Sequence, residues 1–311
     1  MRARPHPIAV LATLLATLLF WAPAASGAQR MTRTLKQNPA VVIAAFGTST
    51  RAQVTYDVFD RQLREAIPDL EIRWAFTSEV IRQRVNKRWA AEGKSQRLFS
   101  LQQVLADLEA EGFTKAAVQP LHIFPGEEYE EVVRIASAFP GLRVELGETL
   151  LQRWESVHEV VAVLARDFLP DTEGCTVVVA HGTPSTHLGS NLTYLGLDRY
   201  LERNFSNVYL GAVEGIITRD DALGPARRHP GSKVRFVPLM YVAGDHIMND
   251  ILGEEETAGE LSWKRELEAA GKSTDVLTVT VDGAPYYRGL GFLSEINDIF
   301  IQEITRTLGR L

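Results

Sequence analysis

The chain has one cysteine, Cys175, in 311 residues. It has no internal disulfide to lean on, so its fold must rest on a buried apolar core. Positive charge is also short: 33 Lys and Arg stand against 39 Asp and Glu, a formal net charge of −6. That balance argues against nucleic acid or an anionic membrane as the main partner. Closely spaced metal-binding motifs such as H-E-x-x-H are missing, so any metal site has to be assembled from residues far apart in sequence. What the chain does have is 45% hydrophobic and 23% charged residues, enough to bury cores in a length suited to two domains.

The first 28 residues stand apart from the rest. MRARPHP is a short basic head, 8–22 is an apolar run of 15 residues, and small residues follow in PAASGA. The run falls short of the ~20 residues that span a bilayer, so the segment reads as a cleaved secretory signal peptide rather than a membrane anchor. No cysteine near the cleavage region offers a lipid attachment point. Cleavage after residue 28 would remove Arg2 and Arg4 and take the formal charge from −6 to −8. The expected location is the periplasm, with no stable membrane insertion of the mature chain.

Beyond the leader, short apolar runs alternate with longer amphipathic ones. Strands are expected at 41–46, 71–76, 116–123 and 143–148, with helices at 51–66, 78–92, 99–111, 127–138 and 154–168. After the Pro/Gly-containing connection LPDTEG the pattern starts again, with strands at 176–181, 208–214, 233–240 and 276–282. Helices are expected near 188–203, 219–228 and 257–270, and a last one near 293–309. The fold class is therefore α/β: two similar domains, 36–168 and 172–290, each a four-stranded parallel sheet flanked by helices. The final segment 291–311 is expected to pack back on the first domain.

The repetition is visible in the letters. VVIAAFGTST at 41–50 matches TVVVAHGTPS at 176–185, and PLHIFPGEEYEEV at 120–132 matches PLMYVAGDHIMND at 238–250, both without gaps and in the same order. Internal duplication is the economical explanation. Both motifs fall where a strand ends, the place where open parallel sheets bind ligands. Superposing the halves pairs Phe46 with His181 and Glu128 with His246. The polar members of these pairs, His181, Glu128 and His246, are the candidate site. Two imidazoles and a carboxylate suit an incomplete coordination sphere for a borderline divalent metal, and equally suit proton transfer near neutral pH. Spacing alone does not choose between the two. Thr48, Ser49, Arg51, Thr183 and Ser185 are candidate contacts for an anionic ligand, with simple helix capping as the plainer reading for the hydroxyls.

The segments AHGT at 180–183, PLHIFPGEEYEE at 120–131 and PLMYVAGDHIMND at 238–250 resemble the class II tetrapyrrole chelatases, most closely the CbiK-type anaerobic cobaltochelatases. The resemblance covers about 38–311, and GEEYE and GDH are its most diagnostic parts. It implies insertion of Co²⁺, with Fe²⁺ as the other metal, into sirohydrochlorin. It further implies that His181 and His246 bind the incoming metal, that His181 takes pyrrole protons, and that Glu128 completes the metal site or relays protons to solvent. A chelatase needs weak, open coordination and a base, which the residue types provide; a closed tetrahedral site would hold its metal too tightly to release it.

Export is the departure from that pattern, since a cobaltochelatase serving cobamide synthesis belongs with the rest of its pathway in the cytoplasm. The competing class is a periplasmic binding protein for a metal or tetrapyrrole such as haem, with stoichiometric retention and no turnover. His122, paired with Met240 in the other half, reads either as a packed core histidine or as an axial haem ligand. Among the remaining histidines, His158 lies on a predicted helix, His187 follows the GTPS turn and His229 sits in a predicted surface loop. The acidic run 253–257 reads as a solvated helix start or as a metal-gathering patch. A homo-oligomer is compatible with the sequence.

Overall fold

Strand β1 (Ala40–Ala45, AVVIAA) is buried along its whole length, as a central parallel strand covered on both faces must be. It pairs in parallel with β2 (Glu71–Phe76) on one side and β3 (Lys115–Pro120) on the other, and β4 (Arg143–Leu146) extends the sheet beyond β3. The second sheet repeats this arrangement. Its centre is β5 (Gly174–Gly182), flanked by β6 (Val208–Glu214) and β7 (Lys233–Leu239), with β8 (Ser273–Val276) beyond β7. The two sheet orders, β2-β1-β3-β4 and β6-β5-β7-β8, are the same path traced twice. The computed structural model describes residues 34–255 and 261–311, so the leader expected at 1–28 lies outside the described residues. No helix among the described residues is long and apolar enough to cross a membrane.

Helices cover both faces of the sheets. In the first half they are α1 (Val54–Ala66), α2 (Glu79–Ala91), α3 (Leu101–Ala110), α4 (Glu127–Ala136) and α5 (Trp154–Leu164). In the second they are α6 (Leu188–Asn204), α7 (Arg219–Arg228) and α8 (Trp263–Ala269), before the terminal α9 (Ser294–Leu308). α1 buries Tyr56, Phe59 and Leu63, spaced to share one face, and α3 starts on a reciprocal Ser100–Gln103 capping box. α9 returns to the first half. Phe300 meets Phe59 with ring centroids 6.4 Å apart, and Glu303 accepts the backbone N–H of Glu148 at 3.2 Å.

Three expectations need correction. The run 276–282 is not the fourth strand of the second sheet, because that strand is β8, three residues earlier. The run turns back at Asp282-Gly283, both at positive φ, so that β9 (Thr278–Val281) and β10 (Ala284–Tyr287) form a separate antiparallel hairpin. An Asp-Gly pair between alternating residues is the chemistry of a tight hairpin turn. His122 is not on a strand either, since β3 ends at Pro120. The helix expected over 257–270 is seen as α8 only, and 256–260 lie outside the described residues.

Candidate functional site

Each repeated motif makes a turn that its sequence demands. Gly47 and Gly182, which follow the apolar runs of β1 and β5, have φ of +104° and +91°, a region costly for any residue with a Cβ. Their N–H groups donate to tyrosine hydroxyls in the same manner, Gly47 to Tyr56 and Gly182 to Tyr194, each at 3.1 Å. The second motif supplies another glycine per half, and these face the opposite repeat. A Cβ on Gly126 would lie 3.7 Å from Thr183 Oγ1, and one on Gly244 would lie 3.0 Å from Thr48 Oγ1. This reciprocal contact draws all four motif segments around one cavity of about 390 Å³.

Into this cavity project His181, at the carboxyl end of β5, and His246, which follows the β7 loop and opens a π-helical turn at Ile247–Ile251. Their ring centroids are 4.8 Å apart and nearly perpendicular. Phe46, the counterpart of His181, lies 6.5 Å from the His181 ring. His246 Nδ1 is 2.6 Å from Asp250 Oδ2, and His181 Nδ1 is 3.3 Å from its neighbour's carbonyl, Gly182 O. With Nδ1 donating in each case, Nε2 keeps its lone pair. Burial, and next the adjacent His246, hold His181 below the ordinary histidine value, which favours the neutral, metal-binding form.

Glu128 lines the same cavity but does not join the imidazole pair. It stands in the first turn of α4 with its carboxylate 3.8 Å from His122 Nε2. A helix N-terminus favours a carboxylate anion, yet desolvation, then Glu214 and Glu127, push Glu128 up to about 7. Glu214, the last residue of β6, was not singled out by sequence reasoning. Its Oε1 lies 3.7 Å from His181 Nδ1, and strand register sets it directly beside Gly182. An acid at the carboxyl end of a strand adjoining that of His181 was the available signal. Among the described residues no three His, Cys, Asp or Glu side chains form a finished cage for an ion.

The other candidates divide. Thr48, Ser49 and Thr183 are in the cavity wall, whereas Arg51 lies over the Tyr286 ring at 5.9 Å and Ser185 is outside the wall. His122 is in the wall, but both its ring nitrogens are buried without a hydrogen-bond partner, and burial lowers it to about 4. Nothing in that geometry supports haem ligation. His187 caps α6 and meets Glu130, His229 meets Asp171, and His158 packs on Trp154 and Tyr200, so each has a structural partner. In the acidic run, Glu254 accepts from Tyr287, and residues 256 and 257 lie outside the described residues.

Residues 39–309 match the family described as cobalt chelatase (CbiK). The chain belongs to the CbiK cobalt chelatase family. Within reach of this family, it is 29% identical over 273 residues to a sirohydrochlorin cobaltochelatase of Salmonella typhimurium, covering 86% of this chain and 96% of the relative. It is also 29% identical over 282 residues to the sirohydrochlorin cobaltochelatase CbiKC of Nitratidesulfovibrio vulgaris, covering 87% and 91%. Among solved structures it resembles SirB from Bacillus subtilis with Fe³⁺, at TM-score 0.57 and 16% identity, covering 87% of this chain and 96% of that one. A second SirB structure, from Bacillus subtilis subspecies spizizenii in complex with cobalt, gives TM-score 0.55 at 16% identity, covering 88% and 96%. The two SirB structures share this chain's fold.

Proposed function

We propose that the protein inserts Co²⁺ into sirohydrochlorin, releasing two protons. The observation that carries this is the pair of imidazoles, His181 and His246, 4.8 Å apart at the wall of an open cavity. Two lone pairs hold a borderline divalent ion loosely enough to hand it on, and open positions remain for the pyrrole nitrogens. His181 takes pyrrole protons because its depressed pKa leaves it unprotonated, and Glu214 and Glu128 pass them toward solvent. Glu128 suits the relay better than a place in the metal sphere, since it faces His122 rather than the imidazole pair. We place the reaction in the periplasm, a location that the basic head and short apolar run at 1–28 support.

The test is anaerobic: mature protein is mixed with sirohydrochlorin and Co²⁺, and the absorbance change is followed. We expect multiple turnovers in the wild type and a loss of about 100-fold or more in both His181→Ala and His246→Ala, the scale of removing a reacting group. A wild type that binds macrocycle or metal once, with no insertion above the uncatalysed rate, is a carrier and ends the enzyme reading.

A further inference from the structure

The cavity wall is electrically lopsided. Glu127, Glu128, Glu214 and Asp245 line it, and against them Arg84 of α2 is the one Lys or Arg among its described lining residues. Arg84 Nη1 lies 3.5 Å from Ser49 Oγ, and one turn further along α2, Arg88 Nη1 donates to Ser49 O at 2.7 Å. Both arginines are exposed, and neither is in salt-bridge contact with an acid among the described residues, although Glu92, one turn further on, acts on Arg88 through space. Elsewhere arginines are commonly matched: Arg153 with Glu148, Arg235 with Asp275 and Arg288 with Asp167. Two like charges at i and i+4 repel each other. α2 does not keep them there for its own packing, since Val85 is its only fully buried residue.

We infer that Arg84, Ser49 and Arg88 form a carboxylate subsite that takes the peripheral acid groups of the macrocycle. This rests on the tetrapyrrole reading of the cavity. A guanidinium offers a planar pair of donors matched to a carboxylate, and the Ser49 hydroxyl beside Arg84 adds a third group that can donate. The acidic wall repels the same carboxylates, so the macrocycle has a preferred edge toward α2. The cationic metal is drawn to the acidic wall instead, where His181 and His246 stand. Polycarboxylate recognition thus becomes a property of the first half, at the end of β1.

The test is a direct binding titration of the metal-free protein, read by absorbance, with sirohydrochlorin and with a dicarboxylic porphyrin as probes. Wild type is compared with Arg84→Ala, with Arg84→Ala/Arg88→Ala and with Arg84→Lys/Arg88→Lys, each checked by thermal melting. In the double alanine variant we expect sirohydrochlorin binding to weaken about 10–100-fold, as for loss of charge-assisted hydrogen bonds. The dicarboxylic probe should lose less, Co²⁺ binding should stay within about twofold, and the lysine pair should recover part of the loss. Sirohydrochlorin binding unchanged in a folded double variant, or equal loss for both probes, overturns the subsite. If the double variant melts early, Arg84→Ala decides, because its weak contact with Ser49 is dispensable for folding: an unchanged affinity there also overturns it. A wild type that binds sirohydrochlorin without inserting metal ends the chelatase reading and leaves the subsite to be judged by these affinities.

Discussion

Gly47 and Gly182 occupy the same place in the two repeats, hold similar positive φ values and give their N–H groups to tyrosines at the same distance. The side chains beside them diverge. The second repeat has His181, His246 and Met240 where the first has Phe46, Glu128 and His122. Continuing the β1–β2 register past Ala45 and Phe76 puts Ser78 at the place of Glu214. Duplication therefore kept the backbone devices that build a strand-end cavity and let the side chains specialise. The pair His181 and His246 stands on one side only, which leaves the opposite side for an apolar wall, a carboxylate, the buried His122 and the arginines of α2. Four imidazoles in a symmetric cage would favour retaining an ion over passing it on.

The largest expected difference between the halves lies in those matched glycines. A Cβ on Gly182 would lie 1.7 Å from Glu214 O, backbone of the adjoining strand, whereas on Gly47 it would lie 3.0 Å from Ile81 Cγ2, a side-chain end. Gly182→Ala should cost about 3 kcal/mol or more and abolish turnover, because β5 and β6 must separate beside His181. Gly47→Ala should cost about 1–2 kcal/mol, the backbone penalty alone. Denaturant midpoints and activity on both variants measure the contrast. Equal costs would mean that strand separation is not what limits Gly182.

The pair Glu214 and Ser78 tests whether specialisation carries chemistry. Glu214→Gln keeps the shape but removes the charge 3.7 Å from His181 Nδ1, and should lower kcat/KM for the metal about 10–100-fold with little change in stability. Ser78 caps α2, its hydroxyl accepting from Ile81 N–H at 3.4 Å. Ser78→Ala should cost about 0.5–2 kcal/mol of stability and leave turnover intact. Steady-state rates with Co²⁺ varied, beside thermal melts, separate the two effects. An active Glu214→Gln would move the proton route to Glu128 alone.

The parts of this molecule that were legible in the sequence are those where local pattern and tertiary outcome agree. Buried apolar strands such as AVVIAA, the repeated Gly-Thr turns and the position of His246 beyond a strand end all follow from local chemistry. Glu214 escaped because its significance is lateral: only the register between β5 and β6 brings it beside Gly182. The hairpin of β9 and β10 escaped because the alternation of VLTVTVD runs through the gap between β8 and β9, so periodicity alone merges two strands that belong to different sheets. Glu128 was found by its alignment with His246, but its 3.8 Å approach to His122 was not, since the loop between β3 and α4 sets that distance.

The contrast with no expected effect on turnover concerns His122 and its counterpart Met240, and it separates packing from function. His122 is held neutral by burial, lowered from the ordinary 6.5 to about 4, with neither ring nitrogen satisfied. A base with a depressed folded pKa takes its proton more readily in the unfolded chain. Its share of stability is therefore whole above pH 6.5 and is lost as pH falls from 6.5 through about 4. At pH 5 the loss is about 2 kcal/mol on that linkage. His122→Met, which installs the residue used by the second repeat, removes this acid sensitivity and relieves two unpaired buried nitrogens. The variant should match or exceed wild-type stability at pH 7.5 and exceed it by about 2 kcal/mol at pH 5. Denaturant unfolding at the two pH values reads the difference. An unchanged acid slope in the variant would assign the titration to another group and would mean that His122 is paired in solution.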